Sequence, residues 1–596
     1  SVSPTSSSVS PLPSSVSSGP ASSPVPTPAT EESAQSPEST SASVSASEDL
    51  DGEFTALQTT LPAALQGLDR RALLVRLALL VEFNERVLRA LPLVDASALD
   101  EQGSLAGRVA AARHLLSVDT QNRYCNAVLE HTAAQDSPPP HITLHRMQLK
   151  AAAALMAERE RSGGDEKRSS VSASVGLATS ASTTSTTTTS SASSGSASSS
   201  AAGSRSAAAA AAATGPSDEE LLRGTTFGVA FEQLGQTASR LLCPARPGGN
   251  NPHVSMKVQF AGEQVHGDGG PYRQFFSDLG HELNGGRVPL LVGVPNRLSR
   301  ASLNRDQHTL RASRRRLLDL SLYRFLGTLM GVAFRTGVVL PLDLAQLVWR
   351  PLVGQRPTLA DLCAVDDYFA RILDTVHDPA LLRSAAEPLR FTTVLSDGTA
   401  VELKPHGAQL HVTPANAAEF ADLLVRARLG EVDAQLAAVR EGMSLVVPPR
   451  LLRLLSAHTL DQRVCGRPHV DVALLQRNSK CSGGLSAQSR RVRYFWQVLY
   501  QLTQKQLRDF LVFAWAQSRL TEYSPFTLYI HPLATRDGVD PDLYLPKADT
   551  CFFYIKLPKY SSPRALRKKL LQAIQCRNMD ADVPENMVED GLDQEW

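Results

Sequence analysis

Apolar side chains recur at helical spacing in the segment between residues 51 and 160. The stretch ALLVRLALLVEFNERVLRALPLVD places them three and four positions apart, and SLAGRVAAARHLL repeats the pattern. We therefore predict that residues 51–160 are mostly helical and form an accessory layer packed on the sequence that follows. An independent functional module is the alternative.

Two other stretches carry almost no large apolar side chains. Residues 1–50 are mostly Ser, Pro, Thr and Ala, and residues 161–221 include the run TTSTTTTSSASSGSASSSAAG. Such compositions bury too little apolar surface to offset the conformational entropy of the chain. We predict that residues 1–50 are disordered and that residues 161–221 form a low-complexity linker.

From residue 222 to residue 596, patterns typical of helices alternate with short runs typical of strands. Single cores rarely grow past roughly 250 to 300 residues, so this length predicts two lobes. Gly466 and Pro468 interrupt the helical pattern of LLRLLSAHTLDQRV. We therefore place a hinge at residues 466–470.

The overall charge gives no support to a protein that binds nucleic acid or an anionic membrane. Lys and Arg number 60 and Asp and Glu 59, a formal net charge of +1, so no global field favours nucleic acid or an anionic membrane. No apolar run reaches the roughly 20 residues of a membrane helix.

The seven cysteines contain no C-x-x-C pair, which favours a reducing compartment over a disulfide framework or zinc module. Because residue 1 is Ser, we expect a longer protein.

The segment LPKADTCFFYIKLPKYSSPRALRKKLLQAI places one cysteine in a chemically suggestive position. We predict a strand from Cys551 to Leu557 after a polar loop at residues 546–550. Ser562 and Pro563 are typical of a helix N-cap and first turn. The following helix has an apolar face made by Leu566, Leu570 and Ile574. A lone cysteine at a strand start is more often a small core residue than a nucleophile.

The surrounding pattern reverses that interpretation. The string LP-x-A-x-T-C-F, followed by LP-x-Y-S-S and an amphipathic helix, resembles the catalytic-cysteine segment of HECT-type E3 ubiquitin ligases. Upstream, FAGEQVHGDGGPYRQFF resembles the opening of the HECT N-lobe, and VREGMSLVVPPRLL and VCGRPHVDV follow in the family's order. The GGPYR string, VREGM and the helical segment near residues 70–120 most resemble the large HERC-type branch.

The resemblance implies an α+β fold with two lobes. A mainly helical N-lobe would occupy residues 222–465, with a small E2-binding sub-lobe at about residues 363–422. An α/β C-lobe would occupy residues 471–596, after the hinge at residues 466–470. The helical segment and the low-complexity stretches would precede this bilobal HECT domain.

The resemblance also implies a reaction. Cys551 would accept ubiquitin from a ubiquitin-loaded E2 enzyme as a thioester and pass it to a lysine of a protein substrate. Neither step needs a metal or another cofactor, and no nucleic acid is expected. Thr550 and Asp549 are the other candidate catalytic residues. Many HECT domains have His where this chain has Asp549 and an acid where it has Lys556, so the group that deprotonates the lysine stays open. The expected location is the cytoplasm, with the nucleus as an addition.

For E2 binding, the resemblance implies an apolar groove on the sub-lobe. The corresponding residues here are Phe369, Leu373 and Phe420, with Phe391 as a fourth. Phe369 and Leu373 are four positions apart, so one helical face would present both. Core residues of the sub-lobe are the alternative.

Two rival functions remain from the sequence. One is a catalytically silent HECT-like scaffold of the ubiquitin pathway, which the unusual residues at positions 549 and 556 favour weakly. The other is a cysteine hydrolase that uses Cys551 with His531 as its base. His531 is predicted to lie in a loop, and nothing in the sequence identifies a residue that would orient it.

Overall fold

The computed structural model describes most of the chain after the first low-complexity stretch. The described residues are 67, 69–94, 103–133, 138–155, 223–244, 253–263, 267–298, 303–384, 388–521, 523 and 526–579. The predicted disordered segment at 1–50 and the predicted linker at 161–221 lie outside them. Within them, helices are combined with small sheets, which confirms the predicted α+β class.

The described part of the accessory segment is largely helical. Its helices are α1 (Arg70–Ala90), α2 (Leu105–Ala111), α3 (Val118–His131) and α4 (residues 146–155). The side chain of Ser104 accepts a hydrogen bond from the backbone N–H of Gly107 and thereby caps α2. Ser117 caps α3 by accepting from Thr120 in the same way.

One strand of this segment was not predicted. Strand β1 (His141–Leu144) pairs in parallel with β2 (Lys257–Phe260), so that Ile142 lies opposite Val258. Four residues of alternating polarity are too few to distinguish a strand from a loop in the sequence alone. Because of this pairing, the accessory segment contributes a strand to the lobe that follows.

The N-lobe is built around two tightly packed helices, α7 and α13. A Cβ on Gly327 of α7 would overlap the backbone carbonyl of Val439, and a Cβ on Gly442 of α13 would overlap that of Arg324. The helices of this lobe are α5 (Thr226–Leu234), α6 (Gly269–Asn284), α7 (Leu317–Thr336), α8 (Gln346–Leu352), α13 (Asp433–Ser444), α14 (Pro449–Leu452) and α15 (Ala457–Cys465). A hairpin of β3 (Leu291–Gly293) and β4 (His308–Leu310) completes it.

Helix α7 is also the one described helix long and apolar enough to cross a membrane by length and composition. Of its most apolar window, 72% is buried inside the protein. Its apolar side chains therefore belong to the core of the N-lobe, and the helix gives no indication of a membrane span.

The sub-lobe has an apolar core of its own. It contains helices α9 (Leu359–Cys363), α10 (Asp367–His377), α11 (Pro379–Ser384) and α12 (Ala417–Leu429), together with the hairpin of β5 (Thr392–Val394) and β6 (Ala400–Glu402). The side chain of Asp366 caps α10 by accepting from the N–H of Phe369 at 2.9 Å.

The C-lobe surrounds a four-stranded sheet with the order β7–β8–β10–β9. Its elements are α16 (Val472–Arg477), β7 (Ser479–Cys481), α17 (Arg490–Leu499), α18 (Gln504–Trp515), β8 (Leu528–Pro532), β9 (Lys547–Asp549), β10 (Tyr554–Leu557) and α19 (Pro563–Met579). Strand β8 is parallel to both neighbours, whereas β9 is antiparallel to β10. The predicted helix is confirmed: Ser562 accepts from Ala565, and the face of Leu566, Leu570 and Ile574 is buried.

Between the lobes, α15 ends where the sequence predicts. Gly466 has φ +67°, a left-handed conformation that suits glycine, and a Cβ there would lie 2.8 Å from the carbonyl oxygen of Leu520. The N–H of Arg467 donates to that same carbonyl at 2.8 Å. The connection is therefore structurally defined, while its role as a hinge stays a prediction.

Candidate active site

Cys551 lies in a turn, not at the start of a strand as predicted. Lys547–Asp549 form β9, residues 550–553 turn the chain, and β10 begins at Tyr554. The predicted polar loop contains a strand because Asp549 and Lys547 pair with Tyr554 and Lys556 across the hairpin. We call residues 550–553 the cysteine turn.

Aromatic packing fixes the end of this turn. Phe553 has φ +55°, which is rare for a large side chain, and is 2% exposed. Its ring stacks on Trp515 of α18, with ring centroids 4.6 Å apart and planes 6° from parallel. The neighbouring Phe552 is exposed. The buried ring thus anchors an otherwise unfavourable backbone conformation next to Cys551.

Hydrogen bonds from both lobes hold the backbone around Cys551. The N–H of Cys551 donates to a carboxylate oxygen of Asp549 at 3.1 Å. From α6 of the N-lobe, the guanidinium of Arg273 donates to the carbonyl oxygens of Thr550 at 2.7 Å and of Cys551 at 2.8 Å. Its Nε donates to the carbonyl of Trp515 at 3.2 Å. Arg273 therefore connects the N-lobe to both peptide groups that flank the thiol.

The environment of Arg273 is costly for a cation. Burial lowers the pKa of Arg273 to about 10, and the nearby Cys551 sulfur acts in the opposite direction. The three carbonyl acceptors replace water around the guanidinium. The contact is accordingly favourable only while the cysteine turn lies against α6.

Two glycines make room for the thiol at the start of α6. A Cβ on Gly270 would lie 3.0 Å from Cys551 Sγ and 3.2 Å from Thr550 Oγ1, and a Cβ on Gly267 would lie 3.5 Å from Sγ. The thiol is partly exposed and packs against this glycine-rich turn. The sequence marked DGGPYR as a family block but gave no sign of its contact with Cys551.

Several other cysteines are poor nucleophiles by comparison. Burial raises the pKa of Cys243, Cys363, Cys465 and Cys481, which disfavours the reactive thiolate. Cys125 is buried. Cys551 is partly exposed, as are Cys363, Cys481 and Cys576, so its position on the cysteine turn is what distinguishes it.

Comparison with known proteins identifies the region that holds this turn. The family model described as HECT-domain (ubiquitin-transferase) matches residues 294–580. The chain contains a HECT domain. The predicted family resemblance, including its HERC-type character, is confirmed. The Gly267–Arg273 segment lies just before the matched residues.

Relatives of this HECT domain are large proteins. The chain is 36% identical to mouse E3 ubiquitin-protein ligase HERC2 over 340 residues, which are 56% of this chain and 7% of that protein. It is 29% identical to human probable E3 ubiquitin-protein ligase HECTD4 over 387 residues, 59% of this chain and 10% of that protein. It is 26% identical to zebrafish (Danio rerio) E3 ubiquitin-protein ligase HACE1 over 341 residues, 54% of this chain and 35% of that protein. The chain thus spans only a small part of HERC2 and HECTD4.

The other candidate catalytic residues of the HECT domain make contacts within or beside the cysteine turn. One oxygen of Asp549 is engaged by the N–H of Cys551, so this carboxylate shapes the turn. The hydroxyl of Thr550 faces Gly270. Lys556 is exposed on β10, opposite the exposed Lys547. The catalytic roles of Thr550 and Asp549 stay predictions.

The four predicted E2-binding residues are buried side chains of the sub-lobe. Phe369, Leu373, Phe391 and Phe420 are at most 5% exposed and form the core of the sub-lobe, where the rings of Phe391 and Phe420 pack edge to face at 5.4 Å. A lobe this small needs its largest apolar side chains for its own core. Their burial favours the core alternative, and their role in E2 binding stays a prediction. The large apolar side chains that the sub-lobe exposes are Leu359, Tyr368, Leu381, Val394 and Leu410.

His531, the base required by the hydrolase alternative, lies in strand β8 and not in a loop. Its ring packs on Tyr554 at 4.7 Å between centroids and near Tyr529. Its Nε2 is buried and has no hydrogen-bond partner among the described residues. A general base needs an orienting partner, so this arrangement gives the hydrolase no support.

Proposed function

We propose that this chain is a HECT-type E3 ubiquitin ligase in which Cys551 carries ubiquitin as a thioester. The observation that carries the proposal is a partly exposed thiol, held on a shaped turn of a HECT domain by backbone hydrogen bonds from both lobes. Its partners would be a ubiquitin-loaded E2, ubiquitin and a protein substrate.

The reaction has two acyl transfers. In the first, the Cys551 thiolate attacks the thioester carbonyl of the loaded E2, a new C–S bond forms, and the E2 thiolate leaves. In the second, a substrate lysine amine attacks the new thioester. An amide bond forms, the C–S bond to Cys551 breaks, and the amine proton passes to solvent or to a nearby base. Because one thioester replaces another in the first step, positioning should dominate the rate.

A thioester assay tests this function directly. The protein is incubated with E1, a panel of E2 enzymes, ATP and ubiquitin, and the products are separated on a non-reducing gel. We expect a thiol-sensitive ubiquitin adduct that disappears in Cys551→Ala. Cys576→Ser is the matched control, because Cys576 is also partly exposed in the C-lobe, and this variant should keep the adduct.

Two results would contradict the proposal. A folded protein that forms no adduct with any E2 would be a silent HECT-like scaffold. Release of free ubiquitin from conjugates, without adduct formation from E2, would indicate a cysteine hydrolase.

A further inference from the structure

The N-lobe and the C-lobe meet through polar contacts. Their apolar cores are separate clusters. The N–H of Val339 donates to the side-chain oxygen of Gln517 at 3.1 Å, and Arg519 donates to the carbonyl of Leu342 at 3.3 Å while it pairs with Asp343. Interfaces of this kind allow lobes to separate, because water can replace each partner.

Arg273 is the part of this interface that reaches the thiol. All three of its acceptors are main-chain carbonyls of the C-lobe, and two belong to Thr550 and Cys551. The guanidinium also lies 5.8 Å from the ring centroid of Trp515. A planar fork with five N–H donors can satisfy several carbonyls at once, which a lysine ammonium does less well. The contact therefore fixes the backbone on both sides of Sγ.

Gly270 provides a second and independent contribution to the same geometry. Its lack of a side chain lets Sγ approach the backbone of α6, since a Cβ would lie 3.0 Å from Sγ and 3.2 Å from Thr550 Oγ1. These distances are tighter than ordinary van der Waals contact. A methyl group at this position would require Cys551 Sγ and the Thr550 hydroxyl to shift while leaving the charge of Arg273 in place.

Building on the ligase function proposed above, we infer that Arg273 is a positioning residue for the second transfer. It docks the cysteine turn on the first turn of α6 and so sets the geometry in which lysine attacks the Cys551 thioester. In the docked state α6 occupies one side of Sγ. The polar contacts between the lobes let the C-lobe leave this position for loading.

Single-turnover discharge tests this assignment. Cys551 is first loaded from E2, ATP is then removed, and loss of the adduct is followed after addition of free lysine. In Arg273→Gln and in Gly270→Ala we expect discharge to slow by up to about a hundred-fold, the scale of a 1 Å misplacement of reacting atoms. Loading should be no slower than in the wild type, because the C-lobe is loaded in the undocked state. Arg273→Lys should recover only part of the loss.

Three controls separate positioning from a general structural defect. Arg567→Gln changes an exposed arginine of the C-lobe and should behave as wild type. Hydroxylamine, a small and strong nucleophile, should cleave the adduct equally in all variants. The double variant Arg273→Gln, Gly270→Ala should be no slower than the worse single variant, because both remove the same docked state. Equal slowing of loading and discharge, or no slowing of either, would overturn the inference.

Thiol alkylation gives a readout that needs no ubiquitin. Iodoacetamide labelling of each cysteine is followed by mass spectrometry, with the partly exposed Cys481 and Cys576 of the same lobe as internal references. We expect Cys551 to react several-fold faster in Gly270→Ala and Arg273→Lys, while the references do not change. An unchanged Cys551 rate would show that Arg273 does not dock the turn. A wild-type chain that forms no adduct would instead overturn the ligase function, and the positioning role with it.

Discussion

The accessory segment and the C-lobe are joined to the N-lobe in opposite ways. Accessory residues such as Leu129 and Ile142 belong to the same apolar core as the N-lobe. The C-lobe has its own core, and its described contacts with the N-lobe include hydrogen bonds and the ion pair of Arg519 with Asp343. The accessory segment is therefore a fixed part of the N-lobe, whereas the C-lobe, which carries the thiol, can separate from it. We call the first contact the permanent joint and the second the separable joint.

The largest expected effect comes from breaking the permanent joint. Arg335 is buried and donates to the carbonyls of Leu129 at 2.9 Å and Val446 at 3.1 Å. Arg335→Ala leaves these acceptors without their donor, so we expect the free energy of unfolding to fall by about 3 kcal/mol. Urea denaturation of the whole chain measures this change.

A matched control lies on the same helix. Arg324 pairs with Glu441 at the surface, where both side chains are about half exposed. Exposed pairs of this kind contribute at most about 1 kcal/mol, so Arg324→Ala should cost much less than Arg335→Ala. Similar losses in the two variants would contradict the distinction between the joints.

An effect that depends on pH is expected at the separable joint. Burial raises the pKa of Asp461 on α15 from 3.8 to about 7, Asp343 acts in the same direction, and Arg519 and the Cys465 thiol oppose them. The carboxyl group of Asp461 therefore binds its proton more tightly in the folded state than in the unfolded state. The resulting stabilisation is complete below pH 3.8 and is lost as pH rises to about 7.

Asp461→Asn removes this titration. The difference in free energy of unfolding, variant minus wild type, should increase as pH rises from about 4 to about 7. Above that range the difference should be constant. Thermal or urea unfolding across this range measures the difference. A difference for Asp461→Asn that does not depend on pH would contradict the assignment.

The smallest effect uses one helix cap on each side of the comparison. Ser117→Ala and Ser562→Ala each remove an N-cap worth about 1 kcal/mol. In hydrogen exchange, Ser117→Ala should speed exchange in the accessory helices and the N-lobe core together. Ser562→Ala should affect only the C-lobe. Exchange that accelerates only in α3 after Ser117→Ala would show that the accessory segment is not part of the N-lobe core.

The sequence correctly predicted the helix caps, buried helix faces and helix ends that depend on a few neighbouring residues. Ser562 caps its helix, Leu566 and Ile574 face the core, and α15 stops at Gly466, because caps, periodicity and glycine act over a few residues. The length of the chain predicted two lobes, and the family resemblance added the sub-lobe and the role of the cysteine, which no local signal gives.

The features that the sequence did not reveal have a common physical origin in contacts between distant segments. Phe369 and Phe391 are buried because the sub-lobe closes on itself, which helical spacing cannot reveal. Cys551 lies in a turn because β9 pairs with β10, and cross-strand pairing is not encoded in either strand alone. The reach of Arg273 to Cys551 depends on how two lobes meet, so the sequence could not show it.

The pairing of β1 with β2 has a consequence for how this chain can evolve. The two strands close a loop that contains the whole Ser- and Thr-rich stretch. For a flexible loop, each doubling of length costs only about 0.6 kcal/mol of closure entropy. Repeats in that stretch can therefore expand or contract between generations with little consequence for the HECT domain, whereas a deletion that removed β1 itself would leave an unpaired strand edge on the N-lobe and favour aggregation.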